Sequence, residues 1–192
     1  MLQSIILSIA LFFSVGESTQ AQYKIDTKAS EVAWLAKKVT GQHNGVVALK
    51  EGSFGFSKGK LTEGSFSIDM TTIECLDLEG KSKGDLEGHL KSDDFFGVEK
   101  FPTASFVITK AVPQGADTYK VVGDITIKGK TEEIQFIATL KEDGNKVTGS
   151  ATITIDRTKF DVKYGSGSFF DNLGDKTIYD NFDLTVSIVA SK

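Results

Sequence analysis

From Val32 to Ala190 the chain alternates apolar and polar residues in window after window, and a period of two marks strands with one face turned inward. Val32, Trp34 and Ala36 share a parity, followed by Val47 and Leu49 and then by Phe54 and Phe56. Gly64, Phe66, Ile68 and Met70 make the next row, with Glu63, Ser65, Ser67 and Asp69 between them. Later rows are Ala104 to Ile108, Tyr119 to Ile127, Ile134 to Leu140, Val147 to Ile155 and Phe182 to Ala190. Lys58-Gly59-Lys60, Lys128-Gly129-Lys130 and Glu142-Asp143-Gly144-Asn145 supply the turns between rows. The pattern predicts an all-β antiparallel meander of about eight strands. Such a meander stacks as a sandwich or closes, and closure removes the edges that invite aggregation. An eight-stranded barrel has an interior that side chains fill or that holds one small ligand. Gly45, Gly64, Gly123, Gly149 and Ala151 fall on inward rows, where small residues serve either as bends or as room for a ligand.

Two segments interrupt the meander. His89 to Phe106 carries Leu90, Phe95, Phe96, Phe101 and Phe106, and burying each large aromatic is worth roughly 1.5–3 kcal/mol. It reads as a packed plug or lid. Gly80 to Phe96 has helix-like spacing, but Gly80, Gly84 and Gly88 each cost about 1 kcal/mol in a helix interior. One or two short helices inserted between strands are expected there. Tyr164 to Asp180 is rich in Gly, Ser and Asp and reads as a long loop carrying Phe169 and Phe170. His89, Phe95, Phe96, Phe169 and Phe170 are the lid candidates. The alternative is that each Phe pair pins its own loop to the outside of the barrel.

Ile5 to Val15 is a short apolar run followed by polar residues and a small-residue site ending at Ala21, which reads as a secretory signal peptide over residues 1–21. Residues 22–192 then form one domain, exported to the periplasm or secreted. The net charge of −4 with no basic run argues against nucleic acid as a partner. Cys75 is the only cysteine, so no internal disulfide forms, and it reads as a small apolar residue.

With the strands placed, three motifs become specific. His89-Leu90-x-Ser92-x-Asp94-Phe95-Phe96, followed by Phe101-Pro102 and Phe106, resembles the central signature of the YceI-like family of secreted, lipocalin-like lipid-binding proteins. Gly123-Asp124-Ile125-Thr126-Ile127-Lys128-Gly129 resembles that family's next strand and turn, and Arg157 with Phe160 and Asp161 resembles its third motif. The likeness runs from Tyr23 to Ala190. It implies an eight-stranded antiparallel lipocalin-like barrel around a long hydrophobic cavity that holds polyisoprenoids or other long-chain amphiphiles. Lys37 to Gly45 and the Gly165 to Asp175 loop depart from the family's commoner form.

A long chain needs a dry, aromatic-lined tunnel and one or two polar groups at its mouth. Trp34, Phe54, Phe66, Phe106, Phe136 and Phe182 are the lining candidates by alternation, with plain core as the alternative for each. Lys38, His43 and Arg157 are the headgroup candidates at the mouth. For Arg157 the alternative is an ion pair with Asp93, Asp94 or Asp161, and for His43 and His89 a hydrogen-bonded structural role, with His89 bonding a loop carbonyl. No nucleophile elbow, metalloprotease motif or nucleotide fingerprint is present, so no enzyme activity or catalytic residue is expected. Two histidines and one cysteine are too few for the common zinc sites, and no metal or cofactor is expected. Asp93 and Asp94 are explained by helix-start capping. The expected function is a binding protein for a polyisoprenoid, fatty acid or derivative, with transient membrane contact and a homodimer left open. Alternatives are a stress-response or structural partner with a filled barrel and, less favoured, a hydrolase acting on lipid or glycan.

Overall fold

The computed structural model describes residues 20–192, so the leader expected over residues 1–21 falls, apart from Gln20 and Ala21, outside the described residues. In chain order the elements are β1 (Ala21–Ile25), β2 (Glu31–Lys38), β3 (Gly41–Ser57), β4 (Lys60–Cys75), α1 (Gly80–Lys91), β5 (Thr103–Pro113), β6 (Thr118–Ile127), β7 (Lys130–Asp143), β8 (Lys146–Asp156) and β9 (Ile178–Ser191). Two single turns of 3-10 helix, Arg157–Phe160 and Gly174–Lys176, lie between β8 and β9.

Every strand pairing is antiparallel, and the ladder runs from β2 through β3, β4, β5, β6, β7, β8 and β9 back to β2. The sheet is therefore a closed barrel with eight wall positions. The ninth segment adds no position: β1 pairs with β3 at Tyr23↔Phe54 and with β9 at Ile25↔Ala190, beyond the end of β2, so β1 and β2 share one place in the wall. The hairpins follow their turn residues. Lys58-Gly59 and Lys128-Gly129 both have positive φ at the two central positions, the backbone that matches the twist of paired strands.

The inward rows meet as the alternation predicts; Gly149 and Ala151 border the interior space, while Gly45 and Gly123 have a use that neither expected reading covers. Phe54, Phe66, Phe106 and Phe136 form a chain of ring contacts at centroid distances of 5.1, 6.2 and 5.5 Å. That chain crosses from β5 to β7 over Gly123 on β6, where an added Cβ would lie 2.5 Å from the Phe106 ring. The indole of Trp34 covers Gly45 in the same manner, its ring 2.5 Å from where a Cβ would stand. Glycine on one strand is the room taken by an aromatic ring on its neighbour.

One barrel end is packed shut by Tyr23, Phe56, Leu61, Tyr119 and Val147, with the Tyr23 hydroxyl bonded to Glu142. The other is closed by the two interruptions of the meander. A single helix of 12 residues forms despite three glycines, longer than the short helices expected. Gly84 and Gly88 have nothing near their Cβ positions and face open space, while Leu86 and Leu90 pack on the core and Lys83 pairs with Glu74 at 2.7 Å. Tertiary packing outweighs propensity here. Asp93 and Asp94 follow α1 and cap no helix start; Asp93 instead pairs with Lys100 at 2.5 Å.

Candidate functional site

Inside the barrel lies a cavity of about 220 Å³ to which every wall position contributes, from Val32 on β2 to Phe182 on β9. Its lining is apolar except for Ser105, Ser150, Tyr179 and Arg157. Along β9 the lining extends from Ile188 to Ile178, roughly 33 Å of strand and roughly 25 Å along the axis at a usual barrel tilt. All six aromatic candidates, Trp34, Phe54, Phe66, Phe106, Phe136 and Phe182, border this space.

The end near α1 is closed by Leu90, Phe95 and Phe96, which line the cavity directly. Tight turns hold them there: Phe95 N–H donates to the Ser92 carbonyl at 3.0 Å and Phe96 N–H to that of Leu90 at 3.1 Å. Phe96 meets Phe95 at 5.3 Å and Phe182 at 6.4 Å, joining the plug to the wall. His89 stands behind the plug, outside the lining. Its ring packs edge-on against Phe95 at 5.4 Å and Tyr164 at 4.5 Å. Among the described residues the expected bond from His89 to a loop carbonyl is not found, and Nε2 is buried without a hydrogen-bond partner. Aromatic contact holds this histidine instead. Phe169 and Phe170 lie outside the cavity, 50% and 51% exposed, with Lys163 Nζ 4.9 Å above the Phe169 ring.

Among the described residues Arg157 is the one charged residue of the lining, and it is only 3% exposed. Its Nε donates to the Tyr179 carbonyl at 3.1 Å, Nη1 to that of Val162 at 2.7 Å and Nη2 to that of Ile178 at 2.9 Å. The Phe95 ring lies 5.5 Å from its Cζ. Its counter-ion is Asp180, at 3.7 Å, rather than the Asp93, Asp94 or Asp161 expected from sequence. Burial pushes the guanidinium pKa down, partly offset by the Asp180 charge, and arginine stays protonated even so. Burial pushes the Asp180 carboxyl the other way, but hydrogen bonds from Ser166 and Ser168 and the Arg157 charge leave it below the usual carboxylate range. Lys38 and His43 sit at the same barrel end but do not border the cavity. His43 Nδ1 instead faces Asp77 at 2.8 Å.

Sequence reasoning missed Asp180, Ile178 and Tyr164. Ile178 and Asp180 continue the even-numbered inward row of Phe182, Leu184 and Val186, so parity was the available signal. Tyr164 had no such signal, because it lies in a loop without periodicity.

Across its full length the chain is 29% identical to a UPF0312 protein of Pseudomonas putida strain F1, 99% of which is covered. Among solved structures it resembles BcnA of Burkholderia cenocepacia, with a TM-score of 0.69 and 26% identity over 87% of this chain and 99% of that one. It also shares the fold of a polyisoprenoid binding domain from Saccharophagus degradans implicated in plant cell wall breakdown. There the TM-score is 0.63 at 11% identity, over 88% of this chain and 97% of that one. The YceI-like domain matches residues 23–190, from β1 to the end of β9, and the chain belongs to that family.

Proposed function

We propose that this chain is an exported binding protein, periplasmic or secreted, that holds a long-chain amphiphile such as a polyisoprenoid, a fatty acid or a derivative in its barrel. The observation that carries this reading is the cavity itself, apolar over roughly 25 Å of axis and sealed by aromatic side chains at one end. Its volume is small for that length, which favours one extended chain over a bulky ring system. The fold shared with a polyisoprenoid binding domain agrees with that choice.

Arg157 bears on the headgroup. Three carbonyls and Asp180 already face its donors, so an acidic headgroup competes with Asp180 for the guanidinium, whereas a neutral one does not. The exposed apolar residues bear on exchange. Among the described residues Val39, Leu76, Tyr164, Phe169, Phe170 and Tyr179 lie at the plugged end, as they would if that end met a membrane when ligand enters or leaves, while Val107 and Ile137 are exposed on the outer wall.

The test is to extract the purified protein with organic solvent, analyse the extract by mass spectrometry, and measure binding of an environment-sensitive hydrophobic dye. The expected result is a bound long-chain molecule in near-stoichiometric amount, displaced by the dye. Repeatedly empty preparations that also fail to bind the dye overturn the proposal.

A further inference from the structure

The segment leading from β4 into α1 gathers three donor atoms of different chemistry outside the cavity. Nδ1 of His43, Sγ of Cys75 and a carboxylate oxygen of Asp77 all lie within 4.8 Å of one another. Nδ1 is 2.8 Å from Asp77 Oδ2, and the Cys75 thiol donates to Oδ1 at 3.3 Å. Register creates the cluster: Gly45 on β3 is paired with Cys75, and the Leu76 N–H donates to the Asn44 carbonyl at 2.9 Å, which extends the ladder past the strand end. Two residues beyond that pair on each side, His43 and Asp77 come face to face.

We propose that His43, Cys75 and Asp77 form a binding site for a divalent transition metal of the zinc class, which ties the entrance of α1 to the barrel wall. Zinc takes imidazole nitrogen, thiolate and carboxylate oxygen at about 2.0–2.3 Å, and a tetrahedron with such bonds has edges of roughly 3.3–3.6 Å. The donor atoms reach that geometry with shifts of about 1 Å. Two histidines and one cysteine fall short of the all-Cys/His zinc sets, and the Asp77 carboxylate is what brings the set to three. Three protein ligands leave one position for water or for Glu87, whose Oε1 accepts the Cys75 N–H at 2.9 Å. The Asn44 N–H, 2.8 Å from Asp77 Oδ1, fixes the carboxylate as outer contacts fix metal-bound ligands.

Access and charge agree. Cys75 is fully buried, but the side chains of His43 and Asp77 are 26% and 27% exposed, so a cation reaches the cluster from solvent. On binding, the thiol gives its proton to water and the imidazole coordinates through Nδ1 with its proton on Nε2. One proton leaves per metal, and thiolate plus carboxylate neutralise the dication. Sulfur and nitrogen donors disfavour Mg²⁺ and Ca²⁺, which take oxygen. A turn that merely needed a hydrogen-bonded aspartate has that already in Asn44 and gains little from a buried thiol aimed at the same carboxylate.

The experiment uses the reduced, tag-free, metal-free protein titrated with Co²⁺ and then Zn²⁺, with folding of each variant checked by circular dichroism. Expected are a thiolate-to-cobalt charge-transfer band saturating at one equivalent, its loss on adding one equivalent of Zn²⁺, and a Zn²⁺-dependent rise in melting temperature. Cys75→Ser should abolish the band, and His43→Gln should weaken binding by about tenfold or more. No band in the wild type overturns the proposal, as does Co²⁺ affinity unchanged in both Cys75→Ser and His43→Gln.

Discussion

Arg157 and Asp180 continue the inward rows of β8 and β9 past their last inward pair. The register sets Ile155 opposite Phe182, and two residues further along each chain the guanidinium Nη2 stands 3.7 Å from Asp180 Oδ1. A buried arginine at the plugged end of an apolar cavity is thus explained by strand pairing: opposite charges on facing rows meet where the rows run out. The three carbonyls it binds, from Val162, Ile178 and Tyr179, belong to the loop and strand start that cover the barrel, so the ion pair anchors that cover.

Asp180→Asn should therefore destabilise the protein by about 1–3 kcal/mol, because a buried guanidinium loses its counter-ion while keeping its carbonyls. The pH dependence has a definite sign. The folded-state pKa of Asp180 is depressed, so its contribution is fully present above the unfolded carboxylate pKa of about 3.9 and is lost as pH falls through the lower, folded value. Thermal melts should show the gap between wild type and Asp180→Asn narrowing from about pH 5 downward, most of it below about pH 4. A gap that stays constant over that range contradicts the assignment.

His89 tests the plug from behind. Among the described residues its Nε2 is buried without a partner, while the ring makes edge contacts with two aromatics, Phe95 and Tyr164, so the site suits a ring better than a hydrogen bond. His89→Phe should be neutral or stabilising by up to about 1 kcal/mol at neutral pH, since an unsatisfied buried nitrogen is removed. Denaturant midpoints decide it. A loss of more than about 2 kcal/mol would mean that the nitrogen has a partner the ring packing hides.

Parity of the apolar residues was enough to place the wall strands and to turn the six aromatic residues inward, whereas closure of the sheet into a barrel around a cavity was what the family resemblance implied. The same parity reaches Arg157 and Asp180, but only once Ile155 is known to face Phe182, and pairing between strands is not written in either strand alone. The loops were less legible. Phe95 and Phe169 sit in equally Phe-rich segments, yet one lines the cavity and the other is half exposed. What separates them is that Leu90 and Lys91 carbonyls fold the chain after α1 back onto the barrel, a consequence of helix length that three glycines disguised.

Gly123 makes the strongest demand for smallness among the residues beside the ring chain. An added Cβ would stand 2.4 Å from the Val107 carbonyl oxygen and 2.5 Å from the Phe106 ring, and the carbonyl belongs to a paired strand that cannot yield cheaply. Gly123→Ala should cost about 1–3 kcal/mol or more by overpacking. Chemical denaturation measures this, and loss of near-ultraviolet circular dichroism would report the displaced aromatic chain.

The cavity and a filled barrel make opposite demands on Ala151. This residue borders the cavity on β8, opposite Ala138 on one side and Val186 on the other, so a larger side chain there extends into the open interior. If the interior holds an extended chain, Ala151→Leu occupies part of that chain's path. Dye affinity and the yield of co-purified lipid should then fall by about tenfold, the effect of roughly 1.4 kcal/mol, with stability changed by less than about 1 kcal/mol. If the interior is already full, the same substitution overpacks it and stability should drop by about 1–3 kcal/mol, with no ligand to lose. A melt and a dye titration on the one variant separate the two, and a destabilised Ala151→Leu protein with unaltered dye binding would remove the case for a ligand in this barrel.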